Sequence, residues 1–160
     1  MIDGIDEIIL TNLQKNARIS NAEIARRVGL APSAVLERIR RLERDGVVRG
    51  YTARIDPAAL GRGTLAFVFV QAENRPFDRS LGEQLAAIPE VLEVHEVAGE
   101  DCLLVKLRCD SNEALGRLLQ QRIGSLPAVR RTRTTIVLAT VRESSELRPL
   151  AGEGGKDGVA

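Results

Sequence analysis

Ile5, Ile8, Ile9 and Leu13 recur at steps of three and four, which sets them on one side of a helix and predicts an amphipathic helix over residues 3–15. Ser20-Asn21-Ala22-Glu23 reads as a capping box, with Ser20 accepting from the Glu23 amide and Glu23 reaching back to Ser20. A short helix with Ile24, Ala25 and Val28 follows. Gly29 ends it, since glycine takes the left-handed cap conformation at least cost. Pro32 suits the first turn of a third helix, whose buried side is Val35, Ile39 and Leu42, with Leu36 at the edge. Ser33, Ala34, Glu37, Arg40, Arg41 and Arg44 occupy its other side, flanked by Arg38. Helix, tight turn, helix is the arrangement of a helix-turn-helix. Small residues would admit the third helix to a major groove about 12 Å wide, where arginines reach base edges or phosphates. Gly46 to Tyr51 predicts a tight turn into a short strand, a reduced wing.

Pro57, Gly61 and Gly63 mark residues 51–63 as a connector. Beyond it the period changes to two. Residues 64–73 predict a strand with Leu65, Phe67 and Phe69 on one face and Ala66, Val68 and Val70 on the other. A helix over 77–88, strands over 91–97 and 101–108, a helix over 112–123 and a strand over 129–141 follow. Ile88-Pro89-Glu90-Val91 and Leu126-Pro127-Ala128-Val129 form a weak repeat, each closing a helix and opening a strand. The order strand, helix, strand, strand, helix, strand predicts a ferredoxin-like sandwich. Two helices cover one face of such a sheet. The first and last strands read as apolar on both faces, so a second copy of the chain is expected to cover the other. The fold class is therefore α+β: a winged helix-turn-helix over 1–50, the connector, and a ferredoxin-like βαββαβ domain over 64–145. Residues 146–160 lose apolar periodicity and end in the flexible composition GEGGKDG, which predicts a disordered tail.

With 44% apolar and 28% charged residues, the chain has an ordinary soluble composition. Three Phe, one Tyr and no Trp require an aliphatic core. No apolar run nears the roughly 20 residues of a membrane span. The start, MIDGIDEIIL, lacks the marks of an export signal, and two cysteines without one suggest reduced thiols in the cytoplasm. Net charge is +1, but between Lys15 and Arg54 ten Lys and Arg stand against four Asp and Glu. A local basic excess in a near-neutral chain points to an anionic partner for that segment. Taken alone, the arginines fit a solvated face with a Glu37–Arg41 pair; behind a helix and a tight turn they fit DNA better. No GxSxG motif or phosphate-cradling glycine loop occurs, and the single histidine, His95, sits in a strand beside Glu93 and Glu96. Cys102 and Cys109 are seven apart in one strand and should point to opposite faces. No catalytic residue, metal or cofactor is expected.

Several stretches carry a more specific resemblance: Asp6-x-x-Ile9-Leu10-x-x-Leu13, Asn16-Ala17-Arg18-Ile19-Ser20, Glu23-Ile24-Ala25, Val28-Gly29-Leu30, Ser33-x-Val35, and Arg38-Ile39-x-x-Leu42-Glu43-x-x-Gly46-Val47-Val48-x-Gly50-Tyr51. The chain resembles the Lrp/AsnC (feast/famine) transcription regulators from about residue 3 to about 145. It departs from them at Ala31, where the family often has a capping Ser worth about 1 kcal/mol. The turn Val97 to Cys102 is also one residue shorter than in many members. The resemblance implies a transcriptional regulator that binds double-stranded DNA through Ser33, Ala34, Glu37, Arg38, Arg40, Arg41 and Arg44, located with the nucleoid in the cytoplasm. It implies a homodimer assembling to a tetramer or octamer, with a small effector, commonly an amino acid, bound between dimers. Ala98, Gly99, Glu100, Asp101, Thr132, Thr134 and Ile136 are the effector candidates. Turn amides at Gly99 and Glu100 suit a carboxylate and Asp101 suits an ammonium group. The alternative is an architectural protein that wraps or bridges DNA without an effector.

Overall fold

The computed structural model describes residues 2–72, 79–99 and 102–147. The chain divides into two compact units, Met1–Arg54 with the described part of Glu143–Ala160, and Ile55–Arg142. Each has its own apolar core.

The first unit holds α1 (Gly4–Lys15), α2 (Asn21–Val28) and α3 (Pro32–Arg44). Asp3 caps α1: the Asp6 amide donates to its carboxylate at 2.8 Å, and the Asp3 amide donates back to the Asp6 carboxylate at 3.1 Å. Ser20 caps α2 by accepting from the Glu23 amide at 3.1 Å. The expected reciprocal bond is absent, because Glu23 instead faces Arg27 one turn on, at 2.5 Å. Gly29 closes α2 at φ +69°, in the left-handed region, and the Gly29 and Leu30 amides both donate to the Ala25 carbonyl. Ala31 precedes α3 without a side-chain cap, and Pro32 begins it. Ile9, Leu13, Ile24, Ala25, Val35, Ile39 and Leu42 form the core.

Residues 46–51, directly after α3, form no strand. The Val47 and Val48 amides both donate to the Leu42 carbonyl, folding the segment back onto the helix end, and Val48 packs against the core. The β-branched pair suggested a wing strand, but among the described residues this segment pairs with no other strand. Residues 143–147 return to the first unit. Gln14 donates to the Leu147 carbonyl at 2.9 Å and accepts from its amide at 2.7 Å, while Arg54 donates to the Glu143 carbonyl at 2.8 Å. Glu146 and Leu147, assigned to a tail by composition, are thus tied down; residues 148–160 lie outside the described residues.

The second unit is one antiparallel sheet with helices: β1 (Thr64–Ala72), α4 (Arg79–Ala86), β2 (Val91–Glu96), β3 (Leu103–Cys109), α5 (Asn112–Leu118) and β4 (Val129–Ile136). The strand order β2-β3-β1-β4 is the ferredoxin-like order. Ala66, Val68 and Val70 point to a core shared with Leu81, Leu85, Val105, Leu107 and Leu115. After α5 the chain widens into one π-helical turn, Leu119–Ile123. Gly124 follows, where a β-carbon would lie 2.9 Å from the Leu119 carbonyl oxygen. The last strand stops at Ile136 rather than 141. Its last paired residue stands opposite Ala66, near the start of β1, and Val137 makes a final bond to the Leu65 carbonyl.

β4 is not apolar on both faces. Register sets Thr132, Thr134 and Ile136 beside Val70, Val68 and Ala66 on the helix side. Arg131, Arg133 and Thr135 therefore share the open face with Phe67 and Phe69. The Arg133 guanidinium lies 3.9 Å from the Phe69 ring centre. On the far edge of that face Glu93 meets Lys106 at 3.1 Å and His95 at 3.2 Å, and these two partners, His95 foremost, hold its carboxyl below the usual range. Cys102 sits just before β3 and packs against the same core as Cys109, contrary to the alternation argument. Seven residues of extended chain still separate the two by roughly 20 Å.

Candidate functional site

α3 presents two sets of polar side chains. At about 100° per residue, Ser33, Glu37, Arg40 and Arg44 fall within about 60° of one another, and all four are exposed. Among the described residues Glu37, Arg40 and Arg44 take no hydrogen-bond or ion-pair partner. Ala34 lies half-buried beside this stripe.

Arg38 and Arg41 belong to a second arrangement. Arg38 donates to Asp3 at 2.7 Å and to Asp6 at 2.9 Å, and Arg41 donates to the other carboxylate oxygen of Asp6. Asp6 is fully buried. The hydrogen bond that Arg38 donates to Asp3, and after it the one to Asp6, raises the already high Arg38 pKa, and the Arg38 bond lowers that of Asp3. The expected Glu37–Arg41 pair is absent, since Arg41 faces Asp6. Sequence reasoning missed Asp6 as a partner of α3, although a signal was present. Asp6 shares the apolar stripe of α1 with Ile9 and Leu13, and a carboxylate there must find a cation or lose its charge.

Past α3, the Tyr51 hydroxyl donates to Glu43 at 2.9 Å. Burial, and then the bond and charge of Glu43, push the phenol up to about 12. A raised folded value means that this contribution to stability is complete below the ordinary tyrosine value near 10 and is lost as pH rises through about 12. Tyr51 is the single tyrosine, so phenolate absorbance reports on it alone. The titration midpoint should lie near 12 in the native chain and fall only part of the way toward 10 in Glu43→Gln, which leaves the burial in place. A native midpoint at 10 would separate Tyr51 from Glu43.

The effector candidates are less gathered. Ala98 and Gly99 sit in the exposed turn after β2, with Gly99 at φ +139°; Glu100 and Asp101 lie outside the described residues. Thr132 and Thr134 are half-buried and Ile136 is 42% exposed on β4. β2 and β4 are the two edges of the sheet. The turn leads into Cys102, whose amide donates to the Val70 carbonyl, and Val70 pairs with Thr132, so about two strand spacings, roughly 10 Å, lie between Cys102 and β4.

Two sequence profiles match the chain, the winged helix-turn-helix DNA-binding profile over residues 2–49 and the Lrp/AsnC ligand-binding domain over 65–147. The HTH-type transcriptional regulator FL11 of Pyrococcus horikoshii is 40% identical over 146 residues, 91% of this chain and 95% of that one. The leucine-responsive regulatory protein of Escherichia coli K12 is 39% identical over 148 residues, 91% and 90% of the two chains. Among solved structures, the feast or famine regulatory protein from M. tuberculosis complexed with L-methionine superposes with a TM-score of 0.86 at 40% identity, covering 93% of this chain and all of that one. A Neisseria meningitidis transcriptional regulator in complex with L-Met gives 0.86 at 29% identity, covering 92% and 96%. With one profile on each half and such relatives along nine-tenths of its length, the chain belongs to the Lrp/AsnC family of DNA-binding transcriptional regulators.

Proposed function

We propose that this regulator reads its operator with the stripe Ser33, Glu37, Arg40 and Arg44 of α3, seated in the major groove. The observation carrying this is the partnerless basic stripe on the helix that follows the Gly29 turn. Glu37 is suited to accept from a cytosine amino group, and Arg40 and Arg44 to reach guanine edges or phosphates. Residues 1–50 would serve as the DNA-reading part and residues 64–145 as the effector and assembly part. The protein acts at the nucleoid in the cytoplasm and catalyses no reaction. Its effector is an amino acid, as the methionine complexes of two relatives suggest. The site draws on the 98–101 turn of one copy and Thr132, Thr134 and Ile136 of another. Dimers form through the open sheet face, and dimers assemble further into tetramers or octamers.

Fluorescence anisotropy against duplex DNA from upstream of its own gene, with excess random duplex and a panel of amino acids, tests this reading. Native protein should prefer the upstream DNA, and one amino acid should change the affinity. Arg40→Ala should weaken specific binding by about 1–3 kcal/mol with assembly intact. Equal affinity for random DNA would favour the architectural alternative instead, and unchanged binding in Arg40→Ala would take that residue off the DNA.

A further inference from the structure

The buried carboxylate of Asp6 performs two tasks at once. It completes the N-terminal cap of α1 by accepting from the Asp3 amide, and it receives both Arg38 and Arg41 from α3. Both oxygens are engaged and none of the residue is exposed. Side-chain exposures of 26% for Arg38 and 41% for Arg41 match guanidinium groups that lean inward across the α1–α3 seam.

If either arginine swung out to a phosphate, it would leave Asp6 a buried anion short of a partner. A solvated phosphate contact is a poor exchange for that loss. Arg40 and Arg44 face no such cost. The four arginines of α3 thus divide into two held by the protein's own carboxylates and two that have no partner among the described residues.

We propose that Asp6 is the positioning residue of the recognition helix: it fixes the pitch of α3 against α1 through Arg38 and Arg41, which orient the helix rather than contact DNA. This rests on the reading that α3 enters the groove. Its consequence is that specificity rests on Ser33, Glu37, Arg40 and Arg44, whose approach to the bases is set by an acidic residue that never touches them.

The test is a salt series with the full-length chain on two duplexes, one random and one from upstream of its own gene. A phosphate contact contributes about one to the slope of log K against log salt. Arg40→Ala and Arg44→Ala should each lower that slope by about one on random DNA, whereas Arg38→Gln and Arg41→Gln should leave it at the native value. Asp6→Asn separates the two roles by sign. Simple electrostatics predicts tighter binding when a negative charge is removed beside DNA. Loss of positioning predicts binding to the upstream duplex weakened more than tenfold, toward the level of random DNA.

A slope lowered by about one in Arg41→Gln would overturn the proposal. So would Asp6→Asn binding its upstream duplex as tightly as the native chain. Should Asp6→Asn lose its helical circular dichroism, the two glutamine variants decide by their slopes alone. If Arg40→Ala and Arg44→Ala change neither slope nor affinity, α3 itself is not on the DNA, and the proposal falls with that reading.

Discussion

Ile24→Ala is expected to abolish DNA binding while leaving the C-terminal sheet folded. Ile24 is fully buried at the centre of the first unit, and deleting three of its carbons costs about 2–5 kcal/mol in lost transfer and cavity energy. That core holds seven buried apolar residues, and a core of this size rarely gives more than about 3–5 kcal/mol of stability. The substitution therefore removes most of what keeps the three helices together. Ala66, Val68, Val70, Leu85 and Val105 belong to a different cluster, which loses nothing. Calorimetry should show the transition of the helical unit shifted to or below room temperature, with that of the sheet unit in place. A single transition moved as a whole, or native affinity for DNA at 25 °C, would show that the two cores do not melt apart.

Signals confined to a few residues were legible in the sequence. Gly29, Pro32 and Ser20 act within one turn of the helix they delimit, and the structure uses each as its chemistry suggests. The alternation in Thr64–Ala72 likewise separates Phe67 and Phe69 from Val68 and Val70. What escaped depends on partners distant in sequence. Asp6 meets residues 32 and 35 positions away, and Gln14 holds a backbone 133 positions away. Residues 47–51 have the composition of a strand but, among the described residues, no neighbour to pair with, and β4 leaves the sheet opposite Ala66, two residues short of the Thr64 end of β1. Polarity on a face is also a property of the register. Thr132 and Thr134 lie on the helix side because they stand opposite Val70 and Val68, which puts Arg131 and Arg133 on the side that was expected to be apolar. The arginines of α3 show the same limit. Their helical phase separates buried from exposed, but only the position of Asp6 separates those already engaged from those available.

Phe69→Glu is expected to convert the proposed dimer to monomers. Phe67 and Phe69 form the apolar centre of the open sheet face with Leu104, and all three are half-buried in the single chain. Helices cover only the opposite face. A two-fold contact through this surface would place the same patch of each copy against the other, so one substitution enters the interface twice. Each buried carboxylate without a partner costs several kcal/mol, against about 12 kcal/mol for a nanomolar dimer. Loss of even 4 kcal/mol weakens association roughly a thousandfold, enough for monomers at micromolar concentration in light scattering after size exclusion. Arg133, stacked on Phe69 in the native chain, can offset part of this by pairing with the new carboxylate. Phe67→Glu, which sets the new carboxylate between Lys106 on β3 and Thr135 on β4, should dissociate the dimer in the same way. Circular dichroism of the monomers should keep the native strand content, since the core residues Ala66, Val68 and Val70 point the other way. A Phe67→Glu chain that remains dimeric at micromolar concentration would place the dimer contact on some other surface. The effector reading would then need a new explanation for how the 98–101 turn of one copy meets β4 of another.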